Sequence, residues 1–310
     1  MSLAETKPAE TTAVTADFID KGFHAFRDGV DKAGATRLLE AVKADRTFDG
    51  GLFLTEAEFD ADPQYTGVNP RPGRNLIERY EDLLGFVERD EAIVAGLTEL
   101  LGEGYGLLNK KFVCGVPQSW VPEWVRARIA GNPVNNLGAY IRPEFRDITY
   151  FYGIDFHQDL IDYKEREADF VTLYVYLHPV GRADAPLFLL EGSHVLGGDM
   201  FPHDLERTGH MRWIYRDKLG RQAQVRQHLL IGDTGYAAMW HACTLHGTQP
   251  DAADHERISL RYLFARAPGM KGGIDRVNET LKGPLSLSTT RQDLAPDGSA
   301  QIKRNVVNGA

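Results

Sequence analysis

The sequence predicts an α+β fold, with helices first and a strand-rich second half arranged as a double-sheet jelly roll, the architecture that also serves the cupins. Two observations carry this. Before about residue 130, apolar residues recur at helical spacing between turn signals. From about residue 137 the texture changes to short alternating segments separated by Gly-containing turns.

In order along the chain, residues 1–16 are rich in Ala, Thr, Glu and Pro and read as a disordered lead-in. They lack the charged and apolar regions of a signal peptide. Asp31 is placed to cap a helix carrying Leu38, Leu39 and Val42. A second helical block spans residues 75–101, with Leu76, Tyr80, Leu83, Leu84, Val94, Leu97 and Leu101. Between them, residues 60–74 hold three prolines and two glycines and read as a loop. Residues 121–129 form a short helix with Pro122 in its first turn. Residues 169–180 alternate, with Val171, Leu173, Val175 and Leu177 on one face and Thr172, Tyr174, Tyr176 and His178 on the other. Residues 186–190, 225–231, 235–240 and 257–265 are further strands, several of them separated by turns at Gly181, Gly192, Gly232-Asp233 and Gly247. The organisation predicted is one domain over 17–282, helical over 17–130 and jelly roll over about 135–266, followed by a mobile tail over 283–310.

Composition narrows the class. Hydrophobic residues at 43% and charged residues at 25% fit a globular chain with an ample core. A net charge of −9 speaks against a nucleic-acid surface. No apolar run approaches the ~20 residues of a membrane span. Two cysteines, Cys114 and Cys243, make no disulfide framework and suit a reducing cytoplasm. A small-molecule substrate is the expected partner, and oligomeric state is left open.

The chemistry concentrates in His157-Gln158-Asp159 and in His246, 89 residues after His157. Positions i and i+2 of an extended segment project to one side, so His157 and Asp159 can reach one metal. Two imidazoles and a carboxylate are the facial ligand set of non-haem Fe(II), with positions left open for reactants. Eleven residues after His246 comes Arg257-Ile258-Ser259. Arg257, Ser259 and Arg261 share one face of a strand whose other face is Ile258, Leu260, Tyr262 and Phe264. An arginine on an inward face implies an anion, and a guanidinium forks onto a carboxylate.

His157-x-Asp159, His246 and Arg257-x-Ser259 together resemble the motif set of the Fe(II)/2-oxoglutarate-dependent oxygenases. Phe156-His157-Gln158-Asp159, the Gly192-Ser193-His194 loop and the His-to-Arg separation are similar to the phytanoyl-CoA hydroxylase-like branch. The resemblance covers residues 135–266 and implies a double-stranded β-helix with the metal between its sheets. It implies Fe(II) on His157, Asp159 and His246, and 2-oxoglutarate on Arg257 assisted by Ser259. It further implies O2 as reactant, succinate and CO2 as products, and hydroxylation of an unactivated C–H bond. The carboxylate of Asp159 argues against halogenation, since related halogenases carry Gly or Ala there.

Substrate specificity is not written in these motifs. Arginines cluster in residues 71–79 and 140–146, which points to a small carboxylate or amino-acid derivative, with Arg261, Arg142, Arg74 and Tyr140 as candidate contacts. Other outcomes on the same iron site stay open: desaturation, epimerisation or cyclisation. So do a zinc hydrolase or isomerase in a cupin-like barrel and a sensor without turnover. Structural roles are open too: His246 as a core histidine, Arg257 paired with Glu256 or Asp233, and Arg261 in a salt bridge. His194 and His241 are read as structural rather than ligating, Cys243 as a small buried residue, and Lys110-Lys111 as a solvated strand edge.

Overall fold

Why the strands close on themselves is visible in the order in which the chain lays them down. A computed structural model describes residues 13–61, 76–296 and 300–307. Its strands are β1 (Phe23–Phe26), β2 (Gly106–Gly115), β3 (Val134–Asn136), β4 (Thr149–His157), β5 (Phe170–Tyr176), β6 (Leu187–Glu191), β7 (Asp204–Gly209), β8 (Arg212–Arg216), β9 (Gln222–Leu229), β10 (Ala237–His241), β11 (His246–Thr248) and β12 (Arg257–Ala265). One antiparallel sheet runs β2-β12-β5-β10, with β1 on its edge; the other runs β4-β11-β6-β9 and continues through β8 to β7. From β2 to β12 the chain crosses repeatedly between the two, which is the winding of a double-stranded β-helix. A short parallel pairing of Val113–Gly115 with Thr149–Phe151 links β2 to β4, and β3 pairs with β4. The fold is α+β, as the sequence predicts.

The strand alternation read from the sequence sorts side chains as expected. Thr172, Tyr174 and Tyr176 face inward; Tyr174, Tyr176 and Trp240 of one sheet pack on Leu187 and Leu189 of the other. Val171, Leu173, Val175, Ile258, Leu260 and Tyr262 face outward and join a larger core with the helices. Those helices are α1 (Ala13–Lys21), α2 (Lys32–Asp45), α3 (Glu56–Ala61), α4 (Gly85–Glu88), α5 (Glu91–Leu101), α6 (Glu123–Ile129) and α7 (Gly273–Glu279). Asp31 caps α2 through Ala33 and Gly34 N–H groups, as its sequence position predicts. Asp90 does the same for α5 through Ala92 and Ile93.

Several expectations shift. The first helix starts at Ala13, inside the predicted lead-in, and residues 1–12 lie outside the described residues. The helical region is interrupted by β2, which is no edge: it lies between β12 and β4. Its outer face carries Phe112 and Cys114 against the helices, while Val113 joins the interior. The block over 75–101 is not one helix but a 3-10 segment Leu76–Leu83 followed by α4 and α5. Pro122 sits at the cap before α6 rather than in its first turn. The β7–β8 hairpin was not legible, because its residues are mostly charged or exposed. The tail after 283 has little regular structure, yet it is anchored: the Val306 N–H donates to Asp155 Oδ2 at 3.1 Å, and the Phe201 N–H to the Thr290 carbonyl at 2.9 Å.

Candidate metal and cosubstrate site

His157 ends β4, and His246 opens β11 directly opposite it in register. Their rings lie 4.1 Å apart. An irregularity in the β4–β11 pairing sets three residue steps of β4 against two of β11. In consequence Ile154 and His157 both line one cavity, where a regular strand would separate them. Gly247 permits the close approach, since a Cβ there would lie 2.7 Å from the Ile154 carbonyl oxygen. Gln158 is extended and carries the chain to Asp159, which begins a 3-10 turn. Its side chain turns away from the cavity. It donates to the carbonyls of Gly197 (2.8 Å) and Cys243 (2.9 Å) and accepts from the Asp199 N–H (2.9 Å), so it clamps three loops behind the ligands.

The protonation pattern suits a metal. His157 Nδ1 lies 3.0 Å from the Asp155 carbonyl, and His246 Nδ1 lies 3.0 Å from the Thr244 carbonyl. A carbonyl only accepts, so each Nδ1 carries the proton and each Nε2 presents its lone pair. Burial pushes both imidazoles below their ordinary pKa, keeping them neutral. Burial alone would raise the Asp159 carboxyl. Arg261, His246 and His157 outweigh it and hold the group well below the usual carboxylate range. Asp159 is fixed by the Thr172 hydroxyl at 2.5 Å, the Trp240 indole N–H at 2.9 Å and the Arg261 guanidinium. Ligand atoms of His157, Asp159 and His246 lie within 4.8 Å of one another, the one such group among the described residues that could hold a metal ion.

Arg257 lines the same cavity. It is 1% exposed, and among the described residues it makes no ion pair. The partners considered from the sequence are taken: Glu256 pairs with Lys43 at 2.5 Å and Asp233 with Lys32 at 2.7 Å. One guanidinium nitrogen donates to the Tyr174 hydroxyl at 3.1 Å, while Nε and the buried Ser259 hydroxyl have no partner. Gly115, opposite Arg257 in register, makes the room: a Cβ there would lie 3.1 Å from Arg257 Nε. A desolvated arginine beside an unpartnered hydroxyl is a cradle for a carboxylate.

The remaining candidates separate. Arg261 enters the cavity. Arg142 forks onto Glu58 at 3.0 and 3.1 Å on the exterior. Tyr140 stacks on Phe59 and meets Trp124 in the helical core. Neither lines the cavity, and Arg74 lies outside the described residues. His241 is held by Asn278 at 3.0 Å, away from the ligand group. Lys110 pairs with Glu81 and Glu88 on the outside, but Lys111 points inward and lines the cavity, correcting the solvated-edge reading. Sequence reasoning also left Thr172, Tyr174, Gly115 and Gln158 without site roles. Strand parity already put Thr172 and Tyr174 on one face together, and the structure turns that face inward; this parity is the one signal that could have found them.

With this geometry in hand, the chain is 26% identical over 256 residues to a probable alpha-ketoglutarate-dependent hypophosphite dioxygenase of Stutzerimonas stutzeri, covering 80% of this chain and 75% of that protein. The chain is thus similar to a 2-oxoglutarate-dependent dioxygenase. No family model matches it, and the phytanoyl-CoA hydroxylase-like branch stays an expectation from the motifs. Solved structures align with it at low identity. The epimerase SnoN from nogalamycin biosynthesis is 14% identical over 97% of this chain and 96% of that one, with a TM-score of 0.48. EctD from S. alaskensis is 12% identical over 93% and 90%, with a TM-score of 0.47. No helix among the described residues is long and apolar enough to cross a membrane.

Proposed function

We propose that this oxygenase hydroxylates a small molecule at the iron held by His157, Asp159 and His246, with 2-oxoglutarate seated on Arg257. The observation that carries the reading is the buried Arg257 guanidinium, without a carboxylate partner among the described residues, in the cavity of the two histidines and Asp159. A catalytic zinc site would also use three protein ligands, but it gives such an arginine no role.

Iron with 2-oxoglutarate and O2 supplies the oxidising power, and succinate and CO2 are released. The chain does the rest. Neutral imidazoles and one carboxylate ligate through Nε2 and Oδ atoms. Thr172 and Trp240 hold Asp159 in one orientation, as outer partners of a ligand do. Arg257, Ser259 and the Tyr174 hydroxyl receive the far carboxylate of the cosubstrate. Val113, Ile154 and Leu187 line the walls and limit water. Hypophosphite, named for the relative, is a small oxyanion, and a small anionic substrate here would agree with it.

The test is succinate formation that requires both Fe(II) and 2-oxoglutarate. Arg257→Ala should raise the 2-oxoglutarate requirement by more than about tenfold, roughly 1.4 kcal/mol, while iron affinity changes little. Arg257→Lys should recover only part, since an ammonium cannot fork. An unchanged cosubstrate requirement in Arg257→Ala would refute the assignment.

A further inference from the structure

Beyond the cosubstrate arginine, the cavity holds two more cations. Lys111 of β2 and Arg261 of β12 are register partners, directly opposite on adjacent antiparallel strands. Like charges in that position repel and destabilise a sheet unless something between them is negative. Arg261 leans on Asp159, but the Lys111 side chain has neither an ion pair nor a hydrogen bond among the described residues, although it lines the cavity and its neighbour Lys110 is doubly paired on the outside. Burial, with the Arg261 charge adding to it, pushes the Lys111 ammonium down to about 8, which marks a cation short of a counter-charge.

Charge balance around the cavity says what that counter-charge is. Arg257, Arg261 and Lys111 line it as cations, and Asp159 and Asp162 as carboxylates. A divalent metal and a dianionic cosubstrate cancel one another. One positive charge is then left, on the side of the cavity away from Gly115 and Arg257. We propose that Lys111 and Arg261 form the subsite for the molecule to be oxidised, and that it takes a small monoanionic oxyanion. Arg261 joins the subsite to the candidate metal ligands through Asp159, so an anion on it would lie on the metal side of the cavity. Lys111 supplies the second contact and selects for charge. This rests on Arg257 being the cosubstrate arginine.

The experiment is anaerobic calorimetry on full-length protein loaded with Fe(II) and saturating 2-oxoglutarate. The titrants are hypophosphite, propionate and the neutral propionamide; the two anions separate a phosphorus oxyanion from a carboxylate. At least one anion should bind and propionamide should not. Lys111→Met should weaken that anion by at least about tenfold while 2-oxoglutarate affinity and Tm stay near wild type, and Lys111→Arg should recover part of the loss. The proposal is overturned if 2-oxoglutarate binds but neither anion does. It is equally overturned if propionamide binds as well as the anions, or if Lys111→Met binds the anion as wild type does. Failure of 2-oxoglutarate itself to bind would instead strike the Arg257 reading, and this one with it. Should Lys111→Met not fold, the anion-against-amide comparison on wild type and the Lys111→Arg variant still decide.

Discussion

At the scale of single residues, the site depends on side chains whose tautomer or orientation is fixed from behind. Asp159 is the most constrained, with contacts from Thr172, Trp240 and Arg261. Its replacement by Ala removes one of three ligands and leaves Arg261 without its partner. Asp159→Ala should therefore cut turnover by well over about tenfold, more than ~1.4 kcal/mol of transition-state stabilisation. His241→Ala, by contrast, removes a buried imidazole bonded to Asn278 and should leave iron affinity unchanged once stability is matched. Iron titration of both variants checks this, and equal loss in the two would mean the wrong histidine has been chosen. The clustering of His157, Asp159 and His246 was legible because their spacing reports a backbone constraint. Lys111 was not, because adjacent lysines read as solvated until strand parity is known to point one outward and the other inward.

At the scale of elements, β12 and β2 build the proposed cosubstrate cradle together. Arg257, Ser259 and Arg261 of β12 stand opposite Gly115, Val113 and Lys111 of β2. Gly115→Ala would introduce a Cβ 3.1 Å from Arg257 Nε and 3.3 Å from Nη2, in backbone geometry that alanine can adopt. The expected result is a 2-oxoglutarate Kd raised by roughly threefold to tenfold, under ~1.4 kcal/mol, with iron affinity and fold retained. Unchanged cosubstrate affinity on calorimetric titration would show that the guanidinium does not need this space. The β12 strand was legible from its split faces. The partnership with β2 was not: Gly106–Gly115 follows a long helical block, and its charged, exposed start hides the apolar alternation of its second half. The same holds for β7 and β8, whose pairing rests on tertiary context rather than pattern.

Across the whole molecule, helices pack one sheet of the β-helix while the site lies between the sheets, joined to both. The candidate ligands come from β4, the turn after it and β11; the arginines come from β12. Metal binding should therefore stabilise the domain as a unit. At free metal about 100 times Kd the gain is about 2.7 kcal/mol, which at roughly 1.5 °C per kcal/mol for a chain of this length is about 4 °C in Tm. Differential scanning of wild type and Asp159→Ala should show this shift in the first and its loss in the second; equal shifts would place the metal elsewhere. The α+β class and the helix-rich first half were readable from periodicity, whereas β1 and β2 within that half were not. The anchoring of the C-terminal segment on Asp155 was not, since it depends on a backbone N–H of Val306 that no side-chain pattern announces.

The central claim is that one metal and one cosubstrate share the cavity of His157, Asp159, His246 and Arg257. The measurement that tests it most directly is the visible spectrum of anaerobic protein titrated with Fe(II) and then 2-oxoglutarate. The predicted result is a weak charge-transfer band that appears only when both are present, saturates at one equivalent of cosubstrate, and is lost in Asp159→Ala. A protein that binds Fe(II) but develops no band with 2-oxoglutarate, or whose band survives in Asp159→Ala, would contradict it.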